Sequence, residues 1–166
     1  MKKFAVLLGL SIFILMPCAA RAQKIQLFGG YSYLRQDTNA GKFNLNGWEA
    51  SATVKNTWVG FTADFSGHYG SPQGTSTSLH TFLFGPQVSL PVPFVSPYVH
   101  ALVGAARQAT GNVSDTVFAA AFGGGVDAHI APLLSYRLFQ VDYLATRFGG
   151  STQNNLRIST GLVIRF

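Results

Sequence analysis

Asp64, Ser66 and His68 recur at every second residue, placing an acid, a hydroxyl and an imidazole on one face of an extended segment. Hydrolysis by a serine nucleophile needs these three groups within hydrogen-bond reach and open to substrate. Ser78 and His80 form a second pair of shared parity, and His100 and His129 are further candidate bases. No two histidines fall at the i, i+2 spacing that would let one strand hold a metal. Gly123-Gly124-Gly125 lacks the Lys-Ser/Thr and helix that a phosphate loop requires, so it reads as strand curvature. No cofactor is expected. The other chemistry available is that of charges: Glu49, Asp64, Asp127 and Asp142 against Lys55, Arg157 and Arg165.

The elements that carry these residues are strands. From Asn154 onward Leu156, Ile158, Leu162, Ile164 and Phe166 alternate with Asn155, Arg157, Ser159, Gly161 and Arg165, with Thr160 as the exception. A period of two marks a strand with one face in oil. Eight such segments are read: Lys24–Arg35, Gly47–Lys55, Trp58–Tyr69, Thr77–Leu90, Pro97–Arg107, Thr116–Ile130, Ser135–Thr146 and Asn154–Phe166. Polar connectors (Gln36–Asn46, Gly70–Ser76, Gln108–Asp115, Arg147–Gln153) alternate with tighter ones at Asn56-Thr57, Pro91–Ser96 and Ala131–Leu134. Long loops at one rim and short turns at the other is the layout of a bacterial membrane barrel, with both termini on the short-turn, periplasmic rim. An even strand number lets the first and last strands pair antiparallel and removes the sheet edges.

The start of the sequence predicts an export signal. Met1-Lys2-Lys3 is basic, Phe4–Met16 is apolar, and Ala20-Arg21-Ala22 supplies the small residues of a cleavage site. The expected organisation is a signal peptide over 1–22, cleaved after Ala22 and exported by the Sec route, then one barrel domain over 23–166. A lipid anchor on Cys18, the sole cysteine, is disfavoured by Pro17 before it. Of the 12 Lys+Arg and 6 Asp+Glu, only Lys2, Lys3 and Arg21 leave with the signal, so the formal charge falls from +6 to +3. The remaining cations are scattered, which argues against nucleic acid as a partner.

Alternation alone does not separate a membrane barrel from a soluble one. The polar faces do. They carry Gly, Ser and Thr with isolated charges, and charged residues make up 11% of the chain, against about 25–35% for the surface of a soluble domain. Small residues with a few charges suit a narrow lumen. On the apolar parity, Arg35, Arg107, Arg137 and Arg147 are placed at strand ends, where snorkelling is cheap. Tyr31, Tyr33, Trp48, Tyr69, Tyr98 and Phe166 are expected in the interfacial girdles. The fold class is therefore an all-β, eight-stranded antiparallel transmembrane barrel with up-and-down order.

The segments Gln26–Arg35, Phe84–Val88, Gln140–Leu144 and Gly161–Phe166 resemble the small eight-stranded outer-membrane β-barrel family, which includes the OmpA membrane domain and the OmpX-like barrels. The resemblance covers essentially all of 23–166. It implies a bacterial outer-membrane location, a monomer, and contact with outer-membrane lipids and lipopolysaccharide. It also implies handling by periplasmic chaperones and the barrel-assembly machinery. Within the last strand, Ser159, Gly161, Ile164 and Phe166 resemble the signal that this machinery reads. The family spans passive anchors, adhesins and lipid-modifying enzymes, so it implies no single activity. No residue set here matches its lipid A deacylases or palmitoyltransferases.

A barrel of eight strands is about filled by its own side chains. With residue numbers summing near 299, strands seven and eight place Asp142 opposite Arg157 on the lumen face. A turn at Asn56-Thr57 sets Glu49 opposite Asp64, and a cation, Arg157, is expected to bridge these acids unless one keeps its proton. Glu49, Asp64, Asp142 and Arg157 are thus the candidate site, as a structural plug or as the gate of a narrow channel. The expected function is a plugged envelope-integrity barrel without catalytic activity. A charge-gated diffusion channel is the alternative, and a lipid-modifying enzyme or surface adhesin comes third.

Overall fold

The structure is a computed structural model; it describes residues 24–38, 41–71, 74–90, 92–111, 113–148 and 151–166. The export segment, with Cys18 and the cleavage residues Ala20 and Ala22, lies outside the described residues. The strands are β1 (Lys24–Thr38), β2 (Gly41–Asn56), β3 (Val59–Gly70), β4 (Thr77–Ser89), β5 (Val95–Thr110), β6 (Val113–Ala131), β7 (Leu134–Phe148) and β8 (Ser151–Arg165). Each pairs antiparallel with its sequence neighbour, and β1 with β8 closes the barrel. The closing seam runs from Gln26↔Arg165 to Gln36↔Asn155. Backbone bonds between Ile25 and Phe166, 2.8 and 3.2 Å long, extend it to the rim that holds both Lys24 and Phe166.

Tilted strands cross a bilayer in about 9–11 residues, so strands of 12 to 19 residues outrun the apolar band. The excess lies at the rim of the β1–β2, β3–β4, β5–β6 and β7–β8 hairpins. Gln36–Asn46, Gln108–Asp115 and Arg147–Gln153 are mostly strand rather than loop. Beyond the lipid neither face has to be apolar, so the alternation that marks a strand is lost while the hydrogen-bond ladder continues.

The outer face is a continuous apolar band. Phe61, Phe65, Phe82, Phe84, Val103, Phe118, Phe122, Val141, Ile158 and Leu162 are all exposed on it. Trp58 at one rim, with Tyr31, Trp48, Tyr69 and Tyr143 toward the other, is also exposed. Two expected outward residues point inward instead. Tyr98 shares the face of Ser96, His100 and Leu102 and is buried in the lumen. Arg137 is buried as well, because a β-bulge shifts the register between Arg137 and Gln140. The extra residue lets Leu138 and Phe139 both face out, which reverses the parity of everything before them.

Inside, the barrel is layered. Below a cap in which Gln36 donates to Gln108 (2.9 Å) and Gln153 (3.3 Å) lies an apolar layer. Leu34, Leu45, Leu79, Leu83, Leu102 and Leu144 meet there, with Ala106, Ala119 and Ala121 filling the gaps. Charged, hydroxyl, amide and imidazole side chains occupy most of the rest, with Phe28 and Val163 among them. Glycine allows the walls to approach: a Cβ at Gly30 would strike the carbonyl oxygen of Thr160 on the neighbouring strand.

Candidate functional site: the charged lumen

Four carboxylates and four cations face the lumen below the leucine layer: Glu49, Asp64, Asp127 and Asp142, with Lys55, Arg137, Arg157 and Arg165. Except for Arg137, which the bulge turns inward, their positions follow from strand parity, since the polar residue of each alternating pair is excluded from lipid. Burying eight ionisable groups in so small a volume is tolerable only if they are mutually paired and hydrogen-bonded.

Arg157 on β8 is the hub and has no solvent exposure. Asp142 is its Cα partner on β7. Its Nε and Nη2 donate to Asp142 Oδ2 at 2.9 and 2.6 Å. Across the lumen, Nη1 donates to Asp64 Oδ1 at 2.8 Å and to Ser66 Oγ at 3.3 Å. Glu49 Oε2 lies 3.4 Å from Nε. One guanidinium, with five donors in a fixed plane, thus touches carboxylates from β2, β3 and β7.

Glu49 and Asp64 are not cross-strand partners. The β2–β3 turn is Thr57-Trp58, one residue later than the sequence suggests, so Glu49 lies opposite Ser66 and Asp64 opposite Ser51. A two-residue hairpin requires positive φ, and Thr57 adopts it (φ 40°). The shift makes the two acids diagonal rather than direct neighbours, and Arg157 reaches both.

Further polar side chains bond the acids and arginines in turn. Gln140 Nε2 lies 2.7 Å from both Glu49 Oε1 and Asp142 Oδ2, while its Oε1 accepts from Tyr98 (2.6 Å) and Arg137 (2.5 Å). His100 Nε2 donates to Asp142 Oδ1 at 2.8 Å. Ser159 donates to Glu49 Oε2 at 2.5 Å, and Ser32 lies 2.9 Å from both Ser159 Oγ and His68 Nε2. Nearer the terminal rim, Arg137 Nε donates to Asp127 Oδ1 (2.9 Å), and its guanidinium lies between the rings of Phe28 and Tyr98 at 4.1 and 4.6 Å. Arg165 approaches both Asp127 and His129 at that mouth.

The residues that suggested hydrolysis lie where strand parity puts them, with Asp64, Ser66 and His68 on the polar, inward face. That face is buried in the lumen, and His68 bonds to Ser32 rather than Ser66. His80 faces outward and pairs with the Tyr69 hydroxyl at 3.0 Å. Among the described residues no group of three His, Cys, Asp or Glu side chains could hold a metal ion. Of the residues in the last strand, Ser159 is buried in the lumen, Gly161 packs on Gly30 across the closing seam, and Ile164 and Phe166 face out.

Arg137, Tyr98, Gln140 and His100 belong to the network, whereas the sequence pattern places Arg137 and Tyr98 on the outer face, offers His100 only as a candidate base and gives Gln140 no role. For Arg137 the signal is Leu138-Phe139, two consecutive large apolar residues that break strict alternation. For the leucine layer it is the recurrence of Leu on the polar parity of β1, β2, β4, β5 and β7.

A closed eight-stranded meander with an apolar exterior and a filled polar interior defines a small transmembrane β-barrel. The fold is that of the small eight-stranded outer-membrane barrels. It is similar to Neisserial surface protein A, with a TM-score of 0.70 at 14% identity over 86% of this chain and 97% of that one. The attachment invasion locus protein Ail of Yersinia pestis aligns with a TM-score of 0.60 at 16% identity, over 88% of this chain and 100% of that one. The N-terminal barrel domain of Pseudomonas aeruginosa OprF gives 0.55 at 12%, over 86% and 97%. No protein-family model and no curated protein matches the sequence.

Proposed function

We infer that the protein is a closed structural barrel of the bacterial outer membrane, serving envelope integrity rather than transport or catalysis. The terminal rim, with its shorter strand extensions, faces the periplasm. The single observation that carries the reading is the stacking of two seals in one lumen: a leucine layer with side chains 0–1% exposed, above Arg157 at 0%. An apolar constriction excludes water and ions by dewetting. Below it every acid has an arginine within 4.0 Å, so the carboxylates are held in fixed contacts across the lumen rather than lining an open path. The serines and histidines of the lumen are enclosed, which supports a non-catalytic role because a lipid substrate would have to reach them.

The test is planar-bilayer recording of the refolded protein beside Arg157→Met and a Leu83→Ser/Leu102→Ser double variant. Silence from the parent protein, with folding verified by heat-dependent gel mobility, is expected. Reproducible parental openings that change in Arg157→Met would replace this reading with a charge-gated channel.

A further inference from the structure

The lumen charges are not evenly mixed along the barrel. Around Arg157, three acids (Glu49, Asp64 and Asp142) face one arginine. At the terminal mouth the balance reverses. Lys24, Lys55, Arg137 and Arg165 share that end with a single acidic side chain, Asp127. Arg137 holds Asp127 through its Nε at 2.9 Å. Among the described residues no acidic side chain pairs with Lys24 or Lys55, and Arg165 has only Asp127, at 3.7 Å.

Strand register draws these cations together. Lys24 and Lys55 are Cα partners, and so are Gln26 and Arg165. With its amide oxygen turned toward them, Gln26 accepts from Lys55 Nζ at 3.0 Å and from Arg165 Nε at 3.1 Å. Two positive groups thus converge on one neutral oxygen, although Lys55 is only 7% exposed. His129 on β6 joins them: its Nε2 accepts from Arg165 Nη1 and lies 2.9 Å from Ser96 Oγ. An accepting Nε2 leaves the imidazole proton on Nδ1, as a further donor at the mouth.

A second, independent feature points to the same place. Ser135 Oγ is buried without a hydrogen-bond partner, and so is Arg165 Nη2. Ser135 is the Cα partner of both His129 and Val163, so it stands on the lumen wall between the imidazole and the strand that carries Arg165. Buried polar groups are nearly always satisfied. A ligand with several acceptor oxygens serves the hydroxyl and the guanidinium nitrogen together.

These side chains face the lumen, and the strands that carry them wall them off from lipid. Their ligand therefore comes from the water at that rim. Charge selects its class. Four cations against one acid leave a surplus of three, which a carboxylate lowers by one and a phosphate group by about 1.5–2. Lysine and arginine both give charge-assisted hydrogen bonds to phosphate.

We propose that the terminal mouth binds a soluble phosphate or phosphomonoester. Lys55 and Arg165 hold it, with Lys24, Ser135 and His129 as further donors. Asp127, kept by Arg137, lies on the inner side and turns the anion back from the acids around Arg157. The site is on the terminal side of both seals, so it stands whether or not the lumen conducts.

The test is a titration of the folded, ¹⁵N-labelled protein in neutral detergent at constant ionic strength. The probes are inorganic phosphate, acetate, chloride and a short-chain phosphatidylglycerol. Phosphate is expected to give saturable amide shifts centred on Lys55, His129, Ser135 and Arg165. Binding weakens roughly tenfold in Lys55→Met or Arg165→Met and by a smaller factor in Ser135→Ala, which removes only a hydroxyl and keeps the barrel intact. Arg107→Gln, at the opposite rim, leaves it unchanged, and gel mobility shows that each variant folds. Equal shifts with chloride mean charge screening alone and overturn the proposal. Acetate or the lipid binding as tightly as phosphate overturns it too, as does a response that ignores both Lys55→Met and Ser135→Ala.

Discussion

Arg157 and Asp64, 93 residues apart in sequence, meet across the barrel at 2.8 Å with neither side chain appreciably exposed. The contact spans the lumen between β3 and β8, so it ties the middle of the chain to its closing strand. Asp142 and Glu49 complete the set. Three acids around one guanidinium make the hub indispensable and its neighbours individually more replaceable.

Arg157→Met should therefore cost about 3–5 kcal/mol, the usual penalty for stranding buried charges. Urea unfolding in lipid, read by the heat-dependent gel shift, measures it. Adding Asp64→Asn and Asp142→Asn should recover part of the loss, because the remaining cost is repulsion among acids that have lost their cation. Unchanged stability in the single variant would exclude a bridging role.

The guanidinium of Arg137 is held between Phe28 and Tyr98. A desolvated cation–π contact is worth about 2 kcal/mol or more, against about 0.5–1 when exposed. A double-mutant cycle of Phe28→Leu with Arg137→Gln should give a coupling nearer the desolvated value. A coupling near zero would mean the rings merely pack.

Gly123 and Gly29 make a paired test of wall spacing. A Cβ at Gly123 would strike Asp142 Oδ1 and the Val141 carbonyl, whereas one at Gly29 meets nothing within 4 Å. Gly123→Ala should destabilise by about 1–3 kcal/mol, as overpacking does, by displacing the carboxylate that Arg157 and His100 share. Gly29→Ala should fold and melt like the parent. The same unfolding assay compares them.

Leu102 is 1% exposed in the layer above the charges. Leu102→Ala should lower stability by about 2–5 kcal/mol through the cavity it leaves. Leu156→Ala, at a lipid-exposed position of β8, should cost less, because lipid chains refill the space. Equal losses would show that the leucine layer is not tightly packed.

The sequence by itself determined the strands, their order and which residues avoid lipid, because a period of two is a local property that each strand carries alone. It also placed Asp142 opposite Arg157, since both lie close to one short hairpin. Register and parity at a distance were decided by the tertiary structure. The Thr57-Trp58 turn made Glu49 a diagonal rather than a direct neighbour of Asp64, and the bulge after Arg137 turned a side chain of lipid parity into the lumen. A one-residue offset is nearly invisible in an alternating pattern, yet it reverses every side chain beyond it. The leucine layer has the same origin. Each contributing strand supplies only one or two such leucines, two of them on β4, and only closure of the barrel brings the exceptions to one level.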